Sequence, residues 1–259
     1  MKKIFTYLFA IAALMIISAA AMAQGGASPF VGSTHGYKII PGNAANDFQW
    51  EIIGGIAGDD YVVNSATLTG DSINITWLTA DGNPYTLRFT ETDKTTLQCA
   101  TIKELTINVQ ASTFEVSTSE QADQCNSAVD TANPGSNTTN VTFVVQMKTG
   151  LTTFNPDWEI TFSLSAGGAV SLGTVTATNG DLSGTGPYIL TNISANGDGT
   201  GSTSITVPVN GNAFTSLSPV FTITGAKELQ YNTPDSDSGN WGAAATINPI
   251  PNTSNITTD

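Results

Sequence analysis

The sequence predicts an all-β chain organised as two β-sandwich domains in tandem. Three observations carry that expectation. Apolar and polar residues alternate through most of the chain, as in Ile73, Ile75 and Trp77 against Ser72, Asn74 and Thr76, which is the pattern of strands buried on one face. Clusters such as Pro41-Gly42-Asn43, Gly54-Gly55 and Asp81-Gly82-Asn83-Pro84 separate these runs, and such residues supply the backbone angles of tight reversals. No stretch carries the stripe at intervals of three and four residues that an amphipathic helix needs. Composition agrees: of 259 residues, 40% are hydrophobic and only 11% charged, with 25 Gly and 11 Pro. A chain of this length can bury two cores, and it is too apolar for a disordered acidic tail.

The elements follow in order. Residues 1–23 read as a secretory signal: Lys2 and Lys3 are positive, Ile4 to Ile17 is apolar, and Ala21-Met22-Ala23 before Gln24 is a small-x-small cleavage site. A retained anchor is the other reading, but the apolar run decays into Ala and Ser and ends in the cleavage signature. No cysteine follows the site to carry a lipid, and no later stretch approaches the roughly 20 apolar residues of a spanning helix, so no membrane span is expected in the mature chain. The first domain is expected over 30–117. Its strands include the Ile73–Trp77 run, then Tyr85, Leu87 and Phe89, then Leu105, Ile107 and Val109. A polar, turn-rich break falls near 117–138. The second domain is expected over 118–251, from alternations at Val141, Phe143 and Val145, at Trp158, Ile160, Phe162 and Leu164, at Val170, Leu172 and Val175, and at Ile205, Val207 and Val209. Pro249 and Pro251 mark its exit into a tail, 252–259.

Charge and chemistry exclude several functions. A net charge of −13, with only 8 Lys and Arg, opposes binding to phosphate backbones, so no nucleic acid is expected as partner. His35 is the one imidazole, and its Ser and Thr neighbours in sequence do not by themselves form a nucleophile, base and orienting group. Gly197, Gly199 and Gly201 lack the following helix of a phosphate loop and read as a hairpin turn. In Asp157-Trp158-Glu159, a strand places the indole opposite both acids. The chain is therefore expected not to be an enzyme and to need no cofactor other than a candidate structural calcium ion.

Three candidate sites remain. Cys99 and Cys125, 26 residues apart, form a disulfide if the compartment is oxidising, worth roughly 3 kcal/mol; two buried unpaired thiols are the alternative. Asp235 and Asp237 beside Gly239, and Asn196 and Asp198 beside Gly201, place oxygens at alternate positions as the first half of a calcium loop does. Both lack the distal Glu of an EF-hand, and solvated turns are the plainer reading. Asp59-Asp60 is a third contributor. Tyr231 and Trp241 flank the acidic turn and suit an aromatic platform for sugar or a partner, or else an edge cluster covering the second sandwich.

Some of these residues also carry a resemblance. The segments HGYKIIPGNAANDFQWEIIGG, INITW, GNPYTLRFTET and CATIKELTINV resemble the PKD-like and immunoglobulin-like modules of secreted Bacteroidetes proteins: a Trp on an early strand, Trp50, an Ile-x-Ile-x-Trp strand ending at Trp77, a Tyr-led strand and a Glu-Thr turn before a Cys. The second half, with PDWEITFSL and AKELQYNTPDSDSGNW, is more loosely similar to β modules of gliding-motility-associated and adhesin-like surface proteins. The resemblance implies two immunoglobulin-like (PKD-like) domains with a structural or adhesive role, and partners among envelope or surface proteins or glycans. A carbohydrate-binding accessory module is the alternative. It also implies an exported protein, at the cell surface rather than in the periplasm. The sequence departs from the family in ending at Ile256-Thr257-Thr258-Asp259, without the sorting domain of type IX export.

Overall fold

The computed structural model describes residues 26–80, 82–95, 97–119, 122–127, 137–235 and 237–252. The expected leader lies outside these, as does all of the expected tail except residue 252. The chain divides into two units: Met1–Ser112 with Tyr231–Thr233, and Thr113–Gln230 with Pro234–Asp259. Where the sequence suggested a break after residue 117, the division falls at Ser112. The reason is hydrogen bonding, because the polar run Glu115–Ser119 is itself a strand of the second unit.

In the first unit β1 (Thr34–Lys38), β2 (Asp47–Ile53), β3 (Tyr61–Val63), β4 (Ser72–Trp77), β5 (Tyr85–Thr92) and β6 (Ala100–Ile107) form two antiparallel sheets, ordered β1-β4-β3 and β2-β5-β6. Alternation sets their register: His35 and Tyr37 lie opposite Ile75 and Ile73, and Trp50 and Ile52 opposite Phe89 and Leu87. Tyr37, Trp50, Ile73, Ile75, Leu87 and Phe89, with Trp77, Tyr85, Ile107 and Val109, make one buried cluster, against which Ile52 packs. Polar atoms carried into it are satisfied, as burial requires. The Trp77 indole N–H donates to the Tyr37 hydroxyl at 2.9 Å, and that hydroxyl donates to the Gly26 carbonyl at 2.7 Å. Ahead of β1 the chain runs parallel to the continuation of β6, with Val31 N donating to Gln110 O and Asn108 N to Ala27 O. It then crosses to the other sheet. Beyond that crossing, among the described residues, β1 and β6 each pair with a strand on one side only, and the start of β1 is also held by Tyr231.

The second unit holds β7 (Glu115–Ser119), β8 (Gln124–Cys125), β9 (Asn137–Lys148), β10 (Trp158–Ser165), β11 (Ser171–Leu172), β12 (Thr176–Ala177), β13 (Asp181–Ser183), β14 (Tyr188–Ile193), β15 (Thr200–Gly211), β16 (Val220–Glu228), β17 (Gly242–Ala244) and β18 (Ile247–Asn248). One sheet runs β13-β14-β10-β16-β17 and the other β11-β15-β9-β7, with β12 also on β15. Between them Val141, Phe143, Trp158, Phe162, Ile205 and Phe221 form a core from which water is excluded. The long pair β9 and β15 alternates buried and accessible residues along its length, so one face packs and the other meets solvent. Both units have the all-β, sheet-on-sheet architecture that the alternation predicts. Around Val170 and Val175 only two-residue strands form, and Val170 is exposed.

Candidate functional site

His35 sits on β1 and is 4% exposed. Its ring stacks on Tyr231, with centroids 4.4 Å apart and planes 18° from parallel. The main chain joins the same two segments, as Thr34 N donates to Tyr231 O at 2.7 Å. Nε2 of His35 lies 3.0 Å from Ser33 Oγ. The direction of that bond follows from the other contact of Ser33, whose hydroxyl donates to the Phe30 carbonyl at 2.5 Å. Its proton is committed, so the imidazole must be the donor. A nucleophilic pair needs the reverse arrangement, with the imidazole accepting the hydroxyl proton. Burial lowers the His35 pKa to about 4, which keeps the ring neutral at physiological pH. Ser33 and His35 thus tie down the start of β1.

The acidic residues are engaged by local donors. Asp235 Oδ2 accepts from Val116 N at 2.9 Å and from the Trp241 indole at 2.7 Å, and Oδ1 accepts from Asp237 N at 2.9 Å. Asp237 Oδ1 accepts from Gly239 N at 2.8 Å, capping the 3-10 turn Ser238–Asn240. Asp235 is therefore the fastening by which the loop before β17 is tied to β7. Asp198 Oδ1 accepts from both the amide and the hydroxyl of Thr200, at 3.1 and 2.6 Å. The hydroxyl and amide of Thr200 hold the Asp198 carboxyl below the usual carboxylate range. Asn196 donates to the Thr200 hydroxyl at 3.2 Å. Asp60 accepts from Ile56 N at 2.7 Å. Among the described residues no three His, Cys, Asp or Glu side chains converge as metal ligands would. The four candidate calcium residues fall in two separate loops.

The remaining candidates are dispersed. Tyr231 belongs to the first unit, stacked on His35, and Trp241 to the second, bonded to Asp235. Cys99 and Cys125 are free thiols at exposed positions, where the unpaired alternative had expected burial. Cys99 follows β5 in the first unit and Cys125 ends β8 in the second.

One feature escaped the sequence reading. Every residue of β6 except Ile107 is exposed, including Ile102 at 56% and Leu105 at 41%. Between the edges of β1 and β6 the first unit opens in a cleft of about 180 Å³, floored by Trp50, Leu87 and Phe89 and rimmed by Tyr37, Lys38, Ile39, Lys103, Glu104 and Leu105. Strand register places Lys103 opposite Phe89 and Leu105 opposite Leu87, on the core-facing side. The signal was present, since Lys103 interrupts the alternation that Leu105, Ile107 and Val109 continue. A charge in the inward register marks a sheet edge.

No family model matches the chain, and no curated protein matches it. Solved structures give distant likenesses. A chain of a type I cohesin–dockerin complex from Clostridium thermocellum has 9% identity and a TM-score of 0.34 over 54% of this chain and 98% of its own. The adhesive subunit of the CFA/I fimbria of enterotoxigenic Escherichia coli has 10% identity and a TM-score of 0.32 over 86% and 97%. The collagen binding domain of an Erysipelothrix rhusiopathiae surface protein has 9% identity and a TM-score of 0.25 over 86% and 86%. At these TM-scores the likeness carries no argument about function, and the all-β assignment rests on this chain's own strands and cores.

Proposed function

We propose that this chain is an exported, non-enzymatic protein of the bacterial cell surface with an adhesive or structural role, acting through an open sheet edge. The observation that carries the reading is β6, an edge strand that among the described residues pairs only with β5 and whose side chains are exposed apart from Ile107. Such an edge offers backbone donors and acceptors to another extended chain. Two further features support it. Ser33 and His35, the pair nearest to a catalytic arrangement, bond in the direction that leaves the serine unactivated. The sequence begins with the pattern of a secretory leader, and no helix among the described residues is long and apolar enough to cross a membrane.

Protease added to intact cells tests the location, with a periplasmic protein as control. Cleavage of this chain while the control survives is expected; protection of both would overturn the surface assignment. Deletion tests the role. Loss of attachment to surfaces or to neighbouring cells, restored by the wild-type chain, is expected, and unchanged attachment would overturn it.

A further inference from the structure

The cleft between β1 and β6 combines three properties. Its floor is apolar, with Trp50, Leu87 and Phe89 beneath the gap. Among the described residues each of the two strands that rim it pairs with its sheet on one side only, apart from the bond of Thr34 N to Tyr231 O at the start of β1. Its charge is also opposite in sign to that of the molecule: Lys38 and Lys103 stand against one carboxylate, Glu104, which Arg88 holds at 2.7 Å. Among the described residues Arg88, Lys94, Lys148 and Lys227 are each in an ion pair with Glu or Asp. The two other basic residues, Lys38 and Lys103, have no ion pair and both rim this one cleft. In a chain of net charge −13, the two cations outside the ion pairs of the described residues therefore rim the place where apolar surface and strand edge are also open.

We infer that this cleft docks an extended acidic segment of a partner protein by strand addition. The segment lies along the β6 edge, alternate apolar side chains enter the gap over Leu87 and Phe89, and its carboxylates meet Lys38 and Lys103. Each property answers a different part of that ligand. The edge supplies main-chain hydrogen bonds and the floor accepts every second side chain, because a strand turns successive residues to opposite faces. The ammonium groups select the sign of charge and raise the rate of encounter. Nucleic acid also carries negative charge, but the carboxylate excess elsewhere on the chain repels a long polyanion, whereas a short segment reaches the cleft alone. The inference rests on the adhesive reading and names the partner class for its sheet edge.

The test is a fluorescence titration of the exported chain with three synthetic peptides. The first alternates valine with threonine and ends in two glutamates. The second ends in two lysines instead, and the third is the first with its alternate backbone nitrogens methylated. The glutamate peptide is expected to bind at least about tenfold more tightly than the lysine peptide, and the methylated peptide to lose binding because one edge of its hydrogen bonds is gone. The double variant Lys38→Glu and Lys103→Glu, at exposed positions that leave the core intact, is expected to reverse the charge preference. Equal binding of the three peptides, or binding of none, would overturn the inference and leave Lys103 as a guard against edge pairing. Concentration-dependent dimerisation abolished by Leu105→Glu would assign the cleft to a second copy and overturn the partner named here. The titration reads the cleft and the deletion strain reads the role, so failure of one is separable from failure of the other.

Discussion

His35 gives the folded chain a dependence on pH that follows from its burial. Its pKa falls from an ordinary 6.5 to about 4, so between those values the unfolded chain binds a proton that the folded chain refuses. Stability is then fully present above about pH 6.5 and is lost as the pH falls toward 4. Melting midpoints at pH 7 and pH 5 are expected to differ by several degrees more in the wild type than in His35→Gln, which cannot titrate; equal differences would refute the assignment. Carboxylates with lowered pKa, Glu91 under the amides of Gly42 and Asn43 and Asp198 under Thr200, act in the same direction but lower on the pH scale. Asp235 makes a second case. Replacing it with Ala leaves Val116 N and the Trp241 indole without their acceptor, at a cost of about 2–4 kcal/mol read from denaturant unfolding. The sequence marked Asp235 and Trp241 as an acid and a ring around one turn, but spacing does not reveal that one bonds the other. For the cysteines, the disulfide expected from sequence requires that a maleimide label neither Cys99 nor Cys125 in the exported protein before reduction. Full labelling, which their exposed positions permit, would remove it.

Strands were the legible elements, and what covers them was not. β4, β5 and β9 stand where alternation placed them, because period two reports which way a side chain points. It does not report whether another layer lies over that side. Leu105 and Ile107 share one register on β6, yet Leu105 is 41% exposed and Ile107 fully buried. Ile107 belongs to the apolar cluster with Ile73 and Ile75, whereas Leu105 lines the cleft. Denaturant unfolding should register that difference. Ile107→Ala is expected to cost about 2–4 kcal/mol by opening a cavity, whereas Ile102→Lys is expected to change stability by no more than about 0.5 kcal/mol. A large loss from Ile102→Lys would mean that the β6 edge is covered after all. The polar strand Glu115–Ser119 was missed for the converse reason. Its partners on β9, not its own apolar content, make it a strand.

At the scale of the molecule, each unit has its own apolar core, and the sequence carried that much because core faces must be apolar wherever they occur. The excursion of Tyr231–Thr233 into the first unit was beyond it, since a three-residue segment has no period. A rise in melting midpoint of several degrees in millimolar calcium over chelator would bear out the calcium expectation; an unchanged midpoint would leave Asp198, Asp235 and Asp237 as fasteners of their own loops. The central claim is that the chain attaches to something at the cell surface through the β6 edge. Saturation binding of the labelled chain to cells lacking it tests this most directly, with the variant Leu105→Glu as comparison. The expected result is saturable binding that the variant weakens at least about tenfold. Equal binding by both chains, or none by either, would contradict the claim.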